Sequence, residues 1–197
     1  MAWACSDEPV SEHPDLRPVI EAAFRAQCDE LTDEFWKTAG VITFATMGVS
    51  EVLRRTGDTR SARNPDPLIN ISDRPPDGTP PQASWRWSQL EDATKADGWF
   101  QQWLTDAWLA LIYSRWEDHY RPALAHIVGA EPKAVVSDVM GDIRHLRNDV
   151  THHRGIATKA NTGRCKVLTR FKAGDRIRLT PEDVLLLHSA IEISAEY

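Results

Sequence analysis

The sequence has few cysteines and no long apolar run. Its three cysteines, Cys5, Cys28 and Cys165, form no CxxC pair, which argues against a disulfide framework or a structural zinc site and favours a reducing compartment. No apolar stretch approaches the roughly 20 residues that cross a bilayer, and the first residues (MAWACSDE) lack the basic and apolar regions of a signal peptide. We therefore expect a cytoplasmic protein with no membrane contact.

Motifs that depend on glycine or on a nucleophile are also missing. The 10 glycines include no loop that would cradle a phosphate, and no nucleophile elbow presents a serine or a cysteine. Nucleotide-hydrolase and serine- or cysteine-hydrolase chemistry are therefore disfavoured, and we expect no bound cofactor.

The charge is distributed unevenly along the chain. The formal net charge of -6 would by itself disfavour a polyanionic partner. Between Val136 and Thr180, however, ten basic residues stand against four acidic ones, so this segment carries +6 and the remaining residues carry -12. A basic segment on an acidic body is common in proteins that bind nucleic acid, and a merely solvated surface gives the same count.

Apolar residues at helical spacing predict a mainly α-helical single domain over residues 1–197. Helices are expected over residues 16–55 (as one helix or two in tandem), 97–124, 133–153 and from 181 onward. Asp15 can cap the first helix, and Pro122 predicts a kink or an end in the second. Thr180 is followed by proline and two acidic residues, which is typical of a helix N-terminus.

Three segments are expected to be non-helical. Residues 1–14 are polar and should form a flexible arm. Residues 58–95 hold half of the 12 prolines and should form a long loop, in which residues 68–71 have the composition of a short strand. Alternating residues around an Ala-Gly-Asp turn predict a basic β-hairpin over residues 164–180.

The helix predicted over residues 97–124 is unusually aromatic. Its large apolar residues recur at helical spacing and comprise Trp99, Phe100, Trp103, Trp108, Leu111, Ile112, Trp116 and Tyr120. Tryptophans can stack on nucleic-acid bases, but a stripe of this kind is more often buried. We therefore expect this helix to be central in the core.

The clearest chemical signal is the run DIRHLRNDVTHHRG at residues 142–155. On an ideal helix the buried stripe comprises Val139, Ile143, Leu146 and Val150. The polar side carries two adjacent lines, one of His145, Asn148 and His152, the other of Arg144, Arg147 and Thr151. Arg147 and His152 lie about 140° apart, so they can flank a bound group without meeting face to face.

Histidine and arginine together suit the cleavage of a phosphodiester without a metal. Histidine exchanges protons near neutral pH, and the planar guanidinium of arginine matches a phosphate. Histidine would assist deprotonation of a ribose 2′-hydroxyl or protonation of the leaving 5′-oxygen, while arginine would neutralise the charge that builds on phosphorus. The need for a 2′-hydroxyl would make RNA the substrate.

At these residues the chain resembles the HEPN superfamily, whose nucleases share an Arg followed four to six residues later by His. Arg147-Asn148-Asp149-Val150-Thr151-His152 has the four-residue spacing and the preferred Asn after the Arg. The resemblance implies an HEPN-like helical bundle, a homodimer that places two motifs at one cleft, and metal-independent endoribonuclease activity of toxin or phage-defence type. It also implies Arg147 and His152 as catalytic residues and Asn148 as a supporting one.

Partners follow from the same resemblance and from the basic segment. Besides RNA, an antitoxin or a defence-system protein is implied as a partner. Some HEPN toxins carry a tyrosine two residues after the motif histidine, where a partner enzyme modifies it, but this chain has Arg154 there. Residues expected to contact RNA are Arg144, His145, Thr151, His153, Arg154, Lys166, Arg170, Lys172, Arg176 and Arg178. A dimer or partner surface is an equally good interpretation of the basic hairpin.

Two other interpretations compete with this one. Asp142, His145, Asp149 and His152 share one sector of the helix, which is typical of either a metal site or an ion-paired face. We favour no metal, because neighbours on one helix usually supply only two ligands and no second pair stands out.

The alternative function is a noncatalytic HEPN-like module that binds a nucleotide or a protein and dimerises. Arg121 and His126 repeat the motif spacing, but a proline follows Arg121.

Overall fold

The computed structural model describes residues 15–56, 66–71, 83–191 and 194–195. The predicted arm at 1–14 lies outside these residues. The described chain is mainly helical, with α-helices α1 (Arg17–Thr56), α2 (Trp87–Thr94), α3 (Trp99–Arg115), α4 (Arg121–Ile127), α5 (Asp138–His152) and α6 (Pro181–Ser189). Its strands are β1 (Leu68–Ile71), β2 (Ala83–Arg86), β3 (Val135–Val136) and β4 (Ser194–Ala195). None of the helices in this part of the chain has the length and apolarity to span a membrane.

The first helix is one uninterrupted element of 40 residues. The Asp15 carboxylate accepts a hydrogen bond from the backbone N–H of Arg17 at 3.0 Å, as expected of a cap. The first half of α1 buries Phe24, Cys28 and Phe35 against the bundle. The second half leaves large apolar side chains exposed, including Phe44 at 79%.

The segment predicted as a 58–95 loop contains regular structure that the sequence interpretation missed. Strand β1 forms where residues 68–71 predicted it, and it pairs antiparallel with β2. Helix α2 then occupies residues 87–94, so the long-loop prediction is wrong for residues 83–94. The Asp66 carboxylate binds the backbone N–H and the hydroxyl of Ser88 in the first turn of α2, which ties the strand pair to the helix.

The aromatic helix α3 continues through a π-helical turn at Trp116–Tyr120 into α4. In this turn the backbone N–H of Arg121 reaches the carbonyl of Trp116, one residue farther than in an α-helix. Pro122 follows this turn directly, and proline has no backbone N–H to donate to a helical hydrogen bond. The π-helical turn is therefore the helix irregularity that Pro122 predicts. The wider turn lets Trp116 and Tyr120 both pack on Phe24, with ring centroids 5.3 and 4.9 Å away.

The tryptophans of α3 and its extension divide into two groups. Trp108 and Trp116 are buried, and the Trp108 indole N–H donates to the Thr32 hydroxyl at 3.0 Å. Trp99 and Trp103 are instead 54% and 61% exposed. The expectation of a core stripe is therefore right for Trp108, Ile112 and Trp116. It is wrong for Trp99 and Trp103, and for Leu111, which is 49% exposed.

Helix α5 begins five residues later than its sequence pattern predicts. A 3₁₀ turn at Pro132–Ala134 and strand β3, which pairs with β4, come first. The Ser137 hydroxyl then accepts a hydrogen bond from the Met140 N–H and caps the helix. Of the predicted apolar stripe, Val139, Ile143 and Leu146 are fully buried between the rest of the bundle and the segment that follows α5.

The predicted β-hairpin at 164–180 does not form. The chain turns at Lys172–Asp175 as expected, where the Asp175 N–H donates to the Lys172 carbonyl, but these residues form no strand. Their regular pairing is a single bridge between Ile156 and Arg176. The backbone N–H groups that a hairpin would use at Lys166, Val167 and Leu168 donate instead to the carboxylate of Asp142.

The final helix α6 matches its predicted start. The Thr180 hydroxyl accepts from the Asp183 N–H, and the Asp183 carboxylate accepts from the Thr180 N–H at 2.7 Å, so the two residues form a capping box. This capping box lies at the C-terminal end of the basic segment and joins that segment to α6.

Candidate functional site

The polar face of α5 is accessible along its whole length. Arg144, Thr151, His152 and the flanking His153 and Arg154 are exposed, whereas His145, Arg147 and Asn148 are half-buried. A helix held by a serine cap at one end and by a buried apolar face keeps these side chains in fixed relative positions. The predicted motif therefore lies on a rigid, open surface.

Arg147 is held in place by a neighbouring helix. Its guanidinium lies 5.8 Å from the centre of the Tyr113 ring on α3 and donates to the side-chain oxygen of Asn148 at 3.3 Å. Burial and the charge of Glu117 raise the pKa of Tyr113, while Arg144 and Arg147 oppose that rise. Tyr113 is thus a neutral aromatic support for a guanidinium, a role the sequence motif does not reveal.

His152 is the last residue of α5 and its side chain is exposed. Since α5 is helical from Asp138 to His152, the ideal offset of about 140° between Arg147 and His152 applies. Arg147 faces Tyr113 on α3, and His152 lies on another side of the helix. One chain therefore holds both motif residues on its surface without bringing them face to face.

His145 is half-buried on the polar side of α5. Burial and the nearby Arg144 lower its pKa, although Asp142 and a hydrogen bond with the Asn161 side chain oppose this. Its Nδ1 atom is buried and has no hydrogen-bond partner among the described residues. A lowered pKa weakens the positive charge that His145 can offer to a phosphate, and its contact with RNA stays a prediction.

Asp149 uses its carboxylate to organise the loop after α5. It is fully buried and accepts hydrogen bonds from the backbone N–H and hydroxyl of both Thr158 and Thr162, and from the Asn161 amide. Burial raises its pKa, but the hydrogen bonds from Thr162, Asn161 and Thr158 outweigh that effect and lower the pKa to about 2.

Within the stripe Asp142, His145, Asp149 and His152, both carboxylates hold the chain that follows α5. Asp142 and Asp149 each satisfy buried backbone N–H groups from residues 158–168. Within the described ranges, no group of three or more His, Cys, Asp or Glu residues has the geometry to hold a metal ion.

The basic residues of the predicted hairpin have different surroundings. The Arg170 guanidinium pairs with Asp183, donates to the Arg178 carbonyl and lies 4.2 Å from the centre of the Phe171 ring. Lys166 pairs with Asp138 at 2.5 Å. Arg170 thus has protein partners although its side chain is 46% exposed, and Lys172, Arg176 and Arg178 are exposed as well.

A cavity of about 420 Å³ lies beside the end of α5. The side chains that carry its chemistry are Trp99, Trp103, Arg154, Arg176 and Arg178, together with Gln102 and Asp106. The structure thus joins three of the predicted RNA contacts to two tryptophans that sequence reasoning placed in the core. A helical wheel could have separated these tryptophans, because Trp103 lies about 140° from Trp108 around α3.

Comparison with protein-family models, curated proteins and solved structures found no match. The function is therefore inferred from the chain's own side chains.

The two cysteines in the described part of the chain, Cys28 and Cys165, are poor nucleophiles. Burial, followed by the charge of Asp29, raises the pKa of Cys28 to about 12, and burial with the charge of Asp142 does the same for Cys165. Both thiols stay protonated near neutral pH and react poorly.

Proposed function

We propose that this protein is a metal-independent endoribonuclease that uses Arg147 and His152. The observation that carries the proposal is the pairing, on one rigid helix, of an exposed histidine with an arginine already positioned over Tyr113. Preorganised charge of this kind stabilises a transition state without further rearrangement. The motif's likeness to HEPN nucleases supports the same assignment and the implied toxin or phage-defence role.

The reaction is an internal transfer within the RNA backbone. The ribose 2′-oxygen attacks phosphorus as its proton leaves, the bond from phosphorus to the 5′-oxygen breaks, and that oxygen takes up a proton. His152 serves one of these proton transfers, and Arg147 neutralises the extra negative charge on the phosphoryl oxygens. The products are a 2′,3′-cyclic phosphate and a 5′-hydroxyl, and no metal enters the balance.

A second copy of the chain would complete the cleft. Because Arg147 and His152 point to different sides of α5, both types of side chain can best contact one phosphate when the polar faces of two α5 helices meet. Arg147 of one copy would then lie across from His152 of the other. We therefore propose a homodimer as the active form.

The noncatalytic alternative also has an observation in its favour. The cavity lined by Trp99, Trp103 and Arg154 has the residue types of a nucleotide-binding site whether or not cleavage follows. RNA binding without cleavage would support this alternative over the nuclease.

Cleavage of RNA in the presence of EDTA tests the proposal. We expect the wild-type protein to cut single-stranded RNA in EDTA, and His152→Ala or Arg147→Ala to slow cleavage by about 100-fold or more, the usual loss of a general acid-base or charge-stabilising group. Gel analysis of end-labelled RNA, with identification of the cyclic phosphate end, measures both outcomes.

His126→Ala is the matched control. His126 is exposed and has the same spacing from Arg121 as His152 has from Arg147, but Arg121 donates to the carbonyls of Pro132 and Val135 and is structural. This variant should cleave normally. Cleavage that survives in both motif variants, or that disappears with EDTA, would refute the assignment.

A further inference from the structure

The cavity beside α5 combines exposed aromatic rings with arginines. Trp99 and Trp103 are more than half exposed although they are among the largest apolar side chains in the protein. They lie four residues apart on α3, so both face the same side of the helix. Exposed indoles grouped in a concave, charged site indicate a ligand that covers them.

The two indoles are supported from behind. The Trp99 ring lies 5.1 Å from Trp85 on β2 and 5.9 Å from Phe100, and the Phe100 ring lies 6.1 Å from Trp103. This aromatic packing fixes the indoles while leaving their other faces open. Such fixed faces are the platforms on which nucleic-acid bases stack.

Three arginines line the same cavity. Arg176 and Arg178 come from the irregular basic segment, and Arg154 comes from the turn that ends α5. Arg154 has φ +56°, a conformation that L-residues rarely adopt. A side chain kept at a backbone position better suited to glycine is consistent with a functional role for its guanidinium.

The site has a net positive charge although two acidic side chains, Asp97 and Asp106, also line it. Asp97 pairs with Arg178 at 3.8 Å. Asp106 is half-buried, and burial raises its pKa although the hydrogen bond from Gln102 opposes the rise. Arg154 and Arg176 show no carboxylate partner among the described residues. With three arginines and two aspartates in the lining, the site has a net charge of +1 for an anionic ligand. Gln102 and Asp106 offer hydrogen-bonding groups for the edge of a base.

We propose that this cavity binds one nucleotide, with its base on the Trp99 and Trp103 rings and its phosphate against Arg154 and Arg176. The volume of about 420 Å³ suits a ligand of this size. Arg154 is two residues beyond His152, so a bound RNA strand would run from the motif into the cavity. In identifying the nucleotide as part of an RNA substrate, the inference rests on the proposed function.

Binding is tested separately from cleavage, in full-length His152→Ala protein. Isothermal titration with a short single-stranded oligoribonucleotide, with a nucleoside 5′-monophosphate, with the nucleoside alone and with inorganic phosphate measures each part of the ligand. We expect the oligoribonucleotide to bind most tightly and the two fragments most weakly. Tight binding of the monophosphate alone would also support the site, and would identify a free nucleotide as its ligand.

Three variants then probe the two halves of the site. Trp103→Ala should weaken oligoribonucleotide binding by about 5- to 150-fold, the usual value of one stacked base. Arg176→Gln should reduce the slope of log K against log salt by about 0.7, the loss of one phosphate contact. Arg154→Gly should weaken binding without loss of folding, because glycine adopts φ +56° freely.

Matched controls and contrary outcomes complete the test. Phe44→Ala removes an exposed aromatic ring, and Lys159→Gln removes an exposed cation of the same segment; both lie outside the cavity and should bind normally. Unchanged affinity in Trp103→Ala and Arg154→Gly, or no binding of either nucleotide probe, would overturn the inference. Tight binding by a wild-type protein that cuts no RNA would instead refute the nuclease and leave the nucleotide site intact.

Discussion

Asp149 has no exposed surface, yet it determines the structure of the surface beside the motif. Its two carboxylate oxygens accept hydrogen bonds from Thr158, Asn161 and Thr162. Hydrogen bonds to a buried charge are stronger than those between neutral groups, and donors left without an acceptor cost more still. The residue is therefore an anchor that fixes the course of the chain from α5 into the basic segment.

Asp149→Asn should lower the free energy of unfolding by about 3 kcal/mol, because an amide group would face several buried donors. Urea denaturation followed by circular dichroism measures the change. Asp138→Asn is the control, since Asp138 is exposed and pairs with Lys166 on the surface, so its loss should cost less than about 1 kcal/mol. Equal effects of the two substitutions would contradict the anchoring role.

The same carboxylate predicts a pH dependence of stability. Its pKa is lowered from an ordinary 3.8 to about 2 in the folded protein, so between these values the unfolded chain binds more protons. The stabilisation, about 2 kcal/mol, is complete above about pH 4 and is lost as the pH falls toward 2. The stability difference between wild type and Asp149→Asn should therefore narrow over this range in urea denaturation series; a constant difference would contradict the prediction.

At the residue scale the sequence predicted which side chains lie on the polar face of α5 but not what they contact. Asp142 and Asp149 have the spacing of ligands or ion pairs. Their carboxylates instead accept from backbone N–H groups 9 to 26 residues later, and Asp149 also accepts from the side chains of Thr158, Asn161 and Thr162. Every residue except proline carries a backbone N–H, so no residue pattern marks such a partner. The support of Arg147 by Tyr113 depends on the packing of two helices and was missed for the same reason.

At the scale of elements, α3 and its π-helical extension use tryptophan both in the core and in the lining of the cavity. Trp108 and Trp116 fill the core, and Trp99 and Trp103 line the cavity. These roles follow from position around the helix, since the buried and the exposed tryptophans lie on different sides.

Trp116→Ala should lower the free energy of unfolding by about 3 to 5 kcal/mol, because it leaves a void beside Phe24 and Tyr120. Trp103→Ala should change it by about 0.5 kcal/mol or less, because the ring is 61% exposed. Thermal or urea denaturation of the two variants makes the comparison. A large loss for Trp103→Ala would show that this residue belongs to the core.

Elements with strong local signals were predicted well. Helices α1, α3 and α6 follow from apolar spacing and from the caps at Asp15 and Thr180, which act over a few residues. Strand β2 and helix α2 were missed because the loop predicted from the prolines at 65–81 was extended to residue 95, although residues 83–94 contain no proline. The hairpin prediction failed because alternation cannot show that a distant carboxylate, Asp142, will take the N–H groups of the first strand.

At the scale of the whole molecule, the proposed cleft makes a prediction about mixed dimers. A dimer of Arg147→Ala chains has no motif arginine, and a dimer of His152→Ala chains has no motif histidine. A mixed dimer of the two keeps one of each, on opposite chains. Co-expression of the two inactive variants should therefore restore part of the cleavage activity seen in the wild type.

The RNA cleavage assay measures this restoration. The control is each single variant mixed with a chain that carries both substitutions. Such a mixture lacks one of the two motif residues altogether, so it should stay inactive. If the mixed variants remain inactive while the wild type cleaves RNA, Arg147 and His152 must act from the same chain. The dimeric cleft would then be wrong even though the motif assignment stands.

The length of α1 has a consequence for the motion of the protein in solution. A helix of 40 residues is about 60 Å long, roughly twice the diameter of a small globular domain. Its second half, with Phe44 largely exposed, increases hydrodynamic drag without adding much mass. A sizing column calibrated with spherical proteins will therefore overestimate the mass of one chain, so a monomer and a compact dimer are properly distinguished by light scattering or sedimentation equilibrium.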